Sequence, residues 1–257
     1  MSNLRSLVSV AAFGVSLLGA SVAAMAQDKA PTGPFGGNIA GTLAITSDYV
    51  FRGISQTDNN PAVQGSLEYS VPLAAPVSAY VSVWASNVDF ADASSEFDWT
   101  GGFRGNITEA LSYDLNVIYY TYPGTPKFRE YNNVDVGLKL AYDFGVAVPY
   151  VGIRYSPDYF AASGHAEYYS VGATVPLAYG MLKDYGVKLM GDLSRQNIEK
   201  NARFGAADYT TWMIGVGVSA FTLDFTAAYY DTSLSRAQCS NLTVCDSRVV
   251  FSVGKAF

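Results

Sequence analysis

The chain has 257 residues, 49% of them hydrophobic, 15% charged and 14% aromatic, with a formal net charge of −6. That balance excludes a disordered polyelectrolyte and a basic nucleic-acid binder. One His and two Cys beside 19 Tyr, 14 Phe and 24 Gly form a strand- and turn-rich inventory with little metal or nucleophile chemistry, which argues against most enzymes.

Residues 1–26 read as a cleaved secretory signal: a basic Arg5, an apolar stretch from Leu7 to about Ala24, and Ala24-Met25-Ala26 before Gln27. Residues 27–37 are a short lead, and residues 38–257 are expected to form one domain. No later stretch is apolar enough for a transmembrane helix.

From there the dominant signal has period two. Val63, Gly65, Leu67, Tyr69 and Val71 alternate with Gln64, Ser66, Glu68 and Ser70. The same alternation recurs along 111–120 and 133–143, and helical spacing would not produce it. Taken in chain order, the template predicts twelve strands near 38–51, 62–71, 78–87, 96–107, 111–120, 133–143, 147–156, 167–177, 184–194, 208–219, 223–230 and 248–257. Long connections at 52–61, 88–95, 121–132, 157–166, 195–207 and 231–247 alternate with shorter turns. An all-β fold follows: an antiparallel transmembrane β-barrel of about twelve strands, with short periplasmic turns and long extracellular loops.

Parity alone does not say which face is the interior, since a soluble barrel would put its apolar face inward. Three features favour the membrane form. Twelve strands make a barrel too wide for the small apolar residues on offer to fill. Aromatics such as Tyr69, Trp99, Tyr119, Tyr142, Tyr169, Trp212 and Tyr229 stand near strand ends, as in interfacial girdles. The last strand, Arg248 to Phe257, resembles the terminal signal by which outer-membrane barrels are recognised for insertion, with Lys255 as a departure near the interface.

The run Ile45-Thr46-Ser47-Asp48-Tyr49-Val50-Phe51-Arg52-Gly53-Ile54-Ser55-Gln56-Thr57, then Pro61 to Ser66 and Trp84-Ala85-Ser86-Asn87-Val88-Asp89-Phe90, resembles the TorF family of inferred porins. The likeness is close over residues 41–105. It implies a bacterial outer-membrane barrel with a pore-like role and transfers neither a substrate nor catalytic residues.

With Val63, Leu67, Leu115 and Val136 facing lipid, the opposite parity gives a lumen lined by Asp48, Arg52, Glu68, Asp98, Arg104, Asp114, Asp135, Lys139, Asp143, Arg154, Lys188, Asp192 and Asp224. Acids outnumber bases there, which predicts a mild cation preference for small hydrophilic solutes. Cross-strand pairing that merely stiffens or plugs the barrel is the structural alternative. Asp48 and Arg52 would share a face of strand one, roughly 13 Å apart at the usual strand rise, with Arg52 near the extracellular mouth. Tyr80, Trp84, Tyr120, Tyr150, Tyr168 and Tyr230 also fall on the lumen side.

His165, in Ser163-Gly164-His165-Ala166, has no nucleophile elbow beside it and no second His for a metal, so neither catalysis nor metal binding is expected. Cys239 and Cys245, in the last long loop of an exported chain, are expected to form a disulfide. The Pro-stiffened segment 122–129 folds inward as a constriction or stands as a surface lid, and the sequence leaves both open. The partners expected are outer-membrane lipid, the barrel-insertion machinery and small solutes, with no cofactor and no nucleic acid. A non-conducting structural or adhesive barrel is the rival function.

Overall fold

A computed structural model describes residues 33–74, 76–201 and 207–257. The expected signal segment 1–26 lies outside them. The strands are β1 (Asn38–Thr46), β2 (Val50–Phe51), β3 (Ile54–Ser55), β4 (Ala62–Ala74), β5 (Val77–Phe90), β6 (Ala93–Asn106), β7 (Leu111–Thr121), β8 (Asn133–Tyr142), β9 (Val148–Ser156), β10 (Ala166–Pro176), β11 (Lys188–Ile198), β12 (Tyr209–Ala220), β13 (Leu223–Thr232) and β14 (Arg248–Ala256). Among the described residues twelve of these close into one antiparallel barrel, while β2 and β3 form a separate two-stranded sheet.

Closure joins β1 to β14, with Ile45 opposite Val253, and to β4, with Ile45 opposite Val63. Phe257 seals the seam, since it exchanges backbone hydrogen bonds of 2.8 and 3.0 Å with Gly41. Its ring also lies where a Cβ on Gly41 would be, at 2.6 Å. Every barrel strand has both neighbours, so the barrel has no open edge to template aggregation.

The pleat sorts side chains by parity. Leu43, Ile45, Val63, Leu67, Val81, Leu115, Val117, Val136, Val151 and Ile153 stand exposed on the outer face. Glu96, Asp98, Asp114, Asn116, Asp135 and Gln196 are buried on the inner one. This inverts the usual rule for a domain in water, where charged groups are seldom buried and large apolar patches seldom exposed. Outward aromatics bracket the apolar belt. Tyr119, Tyr155, Tyr169 and Tyr229 are exposed toward the end with the longer loops, and Tyr142, Phe144, Phe225 and Phe257 toward the end with the turns.

The elements differ from the sequence expectation in four places. Strand one stops at Thr46, because Ser47 donates its N–H to Phe251 O (2.8 Å) and its Oγ accepts from Phe251 N–H (3.0 Å), which ends the ladder and turns the chain inward. No long loop occupies 88–95: β5 and β6 run on to Phe90 and from Ala93, and Ala91 turns between them with φ 46°. The strand expected at 184–194 is β11, at Lys188–Ile198. A 3-10 helix at Gly180–Tyr185 precedes it, closed by Gly186 at φ 52°. Connection 177–187 is therefore long, and the long–short alternation is not strict.

Candidate functional site: the barrel interior

The inner wall near the turn end is a continuous polar chain. Arg104 on β6 grips Glu68 on β4 with both terminal guanidinium nitrogens, one at 3.0 Å. Its carbon lies 4.7 Å from the Tyr80 ring centroid, and Tyr80 donates to Asp114 at 2.9 Å. Asn116 donates to Asp114 and accepts from Arg154 at 3.2 Å. Further along the same wall the Lys139 ammonium, on the strand beside Asp114, sits 4.1 Å from the Tyr150 ring centroid, and Tyr150 and Ser194 both donate to Asp192. Asp224 accepts from Ser219 at 2.5 Å. Lys188 faces the bore beside Gly217, whose absent Cβ would stand 2.7 Å from Lys188 Cε. The interleaved signs hold each charge against a partner, as burial requires.

The loop end is different, because residues 47–61 fold into the barrel. Asp48 ties the base of this segment: it accepts from Ser55 Oγ (2.6 Å), Thr57 Oγ1 (2.9 Å) and Arg248 Nη1 (2.8 Å). Tyr49 N–H donates to Thr57 Oγ1 (3.1 Å), and Gln56 N–H to Tyr49 O (2.7 Å). β2 and β3 then make a hairpin with Val50 opposite Ser55 and Phe51 opposite Ile54, turning at Arg52-Gly53. At the tip the Arg52 guanidinium is bonded to Asp135 on β8 and to Gln196 on β11, the latter at 2.6 Å. Three rings surround it, with centroids at 4.6 Å (Tyr168), 4.8 Å (Phe51) and 5.4 Å (Tyr159).

Apolar packing fixes the rest of this tier. Tyr49 meets Trp84 at 5.2 Å between centroids, Phe51 meets Tyr120 at 5.8 Å, and Phe90, Tyr122, Tyr131 and Phe160 cluster beside them. Tyr131 and Phe160 stack at 4.4 Å. Burial pushes the hydroxyls of Tyr122 and Tyr159, both in loops, above their ordinary values. Of segment 122–129 Tyr122 packs into this cluster, while residues 123–129 stand outside, where Arg129 pairs with Asp92 at 2.6 Å.

The structure thus separates the residues singled out from the sequence. Glu68, Asp98, Arg104, Asp114, Asp135, Lys139, Arg154, Lys188, Asp192 and Asp224 lie on the inner parity of barrel strands. Asp48 and Arg52 do not share a face of strand one, because β1 ends before them; they mark the base and tip of the inserted hairpin. Arg52 is 7% exposed, inside the bore rather than at its mouth. Asp143 is a turn residue that accepts from Gly145 N–H at 2.7 Å. Sequence reasoning passed over Glu96, Gln196 and Arg248, although Glu96 has the parity of Asp98 and is 1% exposed. Cys239 and Cys245 are disulfide-bonded, with Cα atoms 6.3 Å apart. His165 Nδ1 lies 3.1 Å from Glu199 Oε2, at the outer rim.

None of the curated proteins matches this chain in sequence. In structure it is similar to an outer membrane channel from Pseudomonas putida F1, at 10% identity and TM-score 0.53 over 85% of this chain and 95% of that one. It is also similar to the NanC porin, at 9% identity and TM-score 0.51 over 85% of this chain and 98% of that one. At such identity the likeness is one of fold. The family model described as "Bacterial protein of unknown function (Gcw_chp)" matches residues 28–257, and the chain belongs to that family.

Proposed function

We propose that the protein is an outer-membrane porin-like channel of a Gram-negative bacterium through which small hydrophilic solutes diffuse passively, with a mild preference for cations. The observation that carries this is the inversion of the barrel: an apolar, aromatic-edged outer belt around a bore lined with charge. A belt of this kind suits hydrocarbon, and fixed charges of both signs suit a hydrated passage. Facing the bore are Asp48, Glu68, Glu96, Asp98, Asp114, Asp135, Asp192 and Asp224 against Arg52, Arg104, Lys139, Arg154, Lys188 and Arg248, so acids retain a small excess. Buried oxygens at Asp98 Oδ1, Asn133 Oδ1 and Asp135 Oδ1 accept no hydrogen bond among the described residues. Kinship with the TorF family, export by a cleaved leader, and insertion through the strand ending in Phe257 belong to the same proposal. The fold likeness to two membrane channels supports it.

The test is unitary conductance of the refolded chain in a planar bilayer, with the reversal potential read under a salt gradient. Discrete steps with a modest cation bias are expected. A folded barrel that gives no steps would overturn the channel. One observation favours the rival, a closed structural barrel: the inserted hairpin and its aromatic neighbours occupy much of the loop-end bore.

A further inference from the structure

The hairpin does more than line the wall. Its base is bonded beside β1, yet its tip reaches β8, which stands five strands away by the shorter path around a ring of twelve. On the other side Gly53 fits tightly against β12 and β13, where an added Cβ would come within 2.2 Å of Thr211 Oγ1 and 2.6 Å of Thr232 Cγ2. The segment therefore spans the bore from one wall to the opposite one. Its turn places both central residues at positive φ, Arg52 at 48° and Gly53 at 82°, as a two-residue type I′ turn requires. Asn, Asp or Gly takes the first of these positions more readily than arginine, so the tip holds a guanidinium where backbone preference alone would not place one.

Base and tip differ in kind. The base is laced by Asp48, Ser55, Thr57 and Arg248. The tip meets the far wall through one ion pair and Gln196, with aromatic faces around the guanidinium. Within a bore bounded by low-dielectric walls, an unbalanced charge at such a crossing acts strongly on passing ions.

We infer that the hairpin Val50–Ser55 is the constriction of the permeation path and that Arg52, balanced against Asp135, is its selectivity-determining residue. The inference rests on the channel reading above. Ions pass beside the hairpin tip, and the neutral Arg52–Asp135 pair keeps the bias at this level small. A pair that served only to fix the loop would not give opposite electrical effects when either partner is neutralised.

The experiment compares four folded proteins in planar bilayers under a tenfold KCl gradient: the wild type, Arg52→Gln, Asp135→Asn, and a variant with Val50–Ser55 replaced by Gly-Gly. Folding is checked by heat-modifiable gel mobility. Arg52→Gln is expected to move the reversal potential toward the cation limit, Asp135→Asn toward the anion limit, and the shortened hairpin to raise unitary conductance at least twofold. A silent wild type beside a conducting shortened hairpin would overturn the channel reading, and with it the inference, and make the hairpin a plug. Wild-type steps with unchanged conductance on shortening, or reversal potentials that move the same way or not at all, would overturn the inference and leave the channel standing. Silence from both the wild type and the shortened variant would overturn the channel reading and the inference together.

Discussion

Glu199 and His165 show how a single contact couples a loop to the barrel rim. The backbone N–H of His165 donates to Glu199 Oε2 at 3.2 Å, and this bond, with the nearby imidazole, holds the Glu199 carboxyl below its ordinary value. A carboxyl lowered in the folded state contributes stability that is complete above its unfolded pKa and is lost as pH falls through the folded one. The loop that carries His165 also brings Tyr159 over Arg52 and Phe160 against Tyr131. Amide-exchange protection at His165, corrected for intrinsic rate, is thus expected to hold at neutral pH and fall once the pH drops below the ordinary carboxylate range. Glu199→Gln should show the weaker protection already at neutral pH; equal protection in both proteins would remove this contact from the account. Residues of this kind were poorly legible in the sequence. A lone His in a loop carries no periodicity, and its partner is 34 positions away.

At the scale of elements, the strands were legible because two environments act on alternate residues. In β7 the buried Ser112, Asp114, Asn116 and Tyr120 alternate with the outward Leu115, Val117 and Tyr119, and no other regular structure has that period. The hairpin was hidden for the same reason. Val50 and Phe51 continue the run of β-forming residues begun in β1, and only the turn chemistry of Ser47 and Gly53 marks the break. Two predictions belong here. Leu115→Arg places a charge on the apolar belt opposite Leu138, and it should cost about 2–4 kcal/mol near mid-depth, read as a lower urea midpoint for unfolding from lipid vesicles. A change under 0.5 kcal/mol would mean that the belt does not face hydrocarbon. The Cys239–Cys245 bond closes a short loop, worth roughly 2 kcal/mol in the chain-entropy model. Reduction should speed proteolysis within residues 233–247 while leaving the barrel core resistant; an unchanged digestion rate would show that Arg236–Asp246 pairing and Arg248 already hold that loop.

The whole molecule is a closed sheet that resolves three demands together. Every strand pairs, the terminal Phe257 packs at the seam, and charges collect on the inner face of the barrel. Its polar interior divides into a turn-end tier, where Glu68, Arg104, Asp114 and Arg154 form one wall, and a loop-end tier crossed by the hairpin. The barrel and most of its inner charges follow from parity. What could not be read was the depth to which residues 47–61 enter, because that depends on contacts such as Arg52 to Asp135, separated by 83 positions and by no local pattern. The central claim is that a hydrated path for small solutes runs through this divided interior. It is tested most directly by swelling of proteoliposomes in iso-osmotic solutions of neutral sugars of increasing size, with folding verified in the same vesicles. The account predicts swelling well above that of empty liposomes for the smallest sugars and a steep decline as size rises. Swelling no faster than in empty liposomes for every sugar would contradict it.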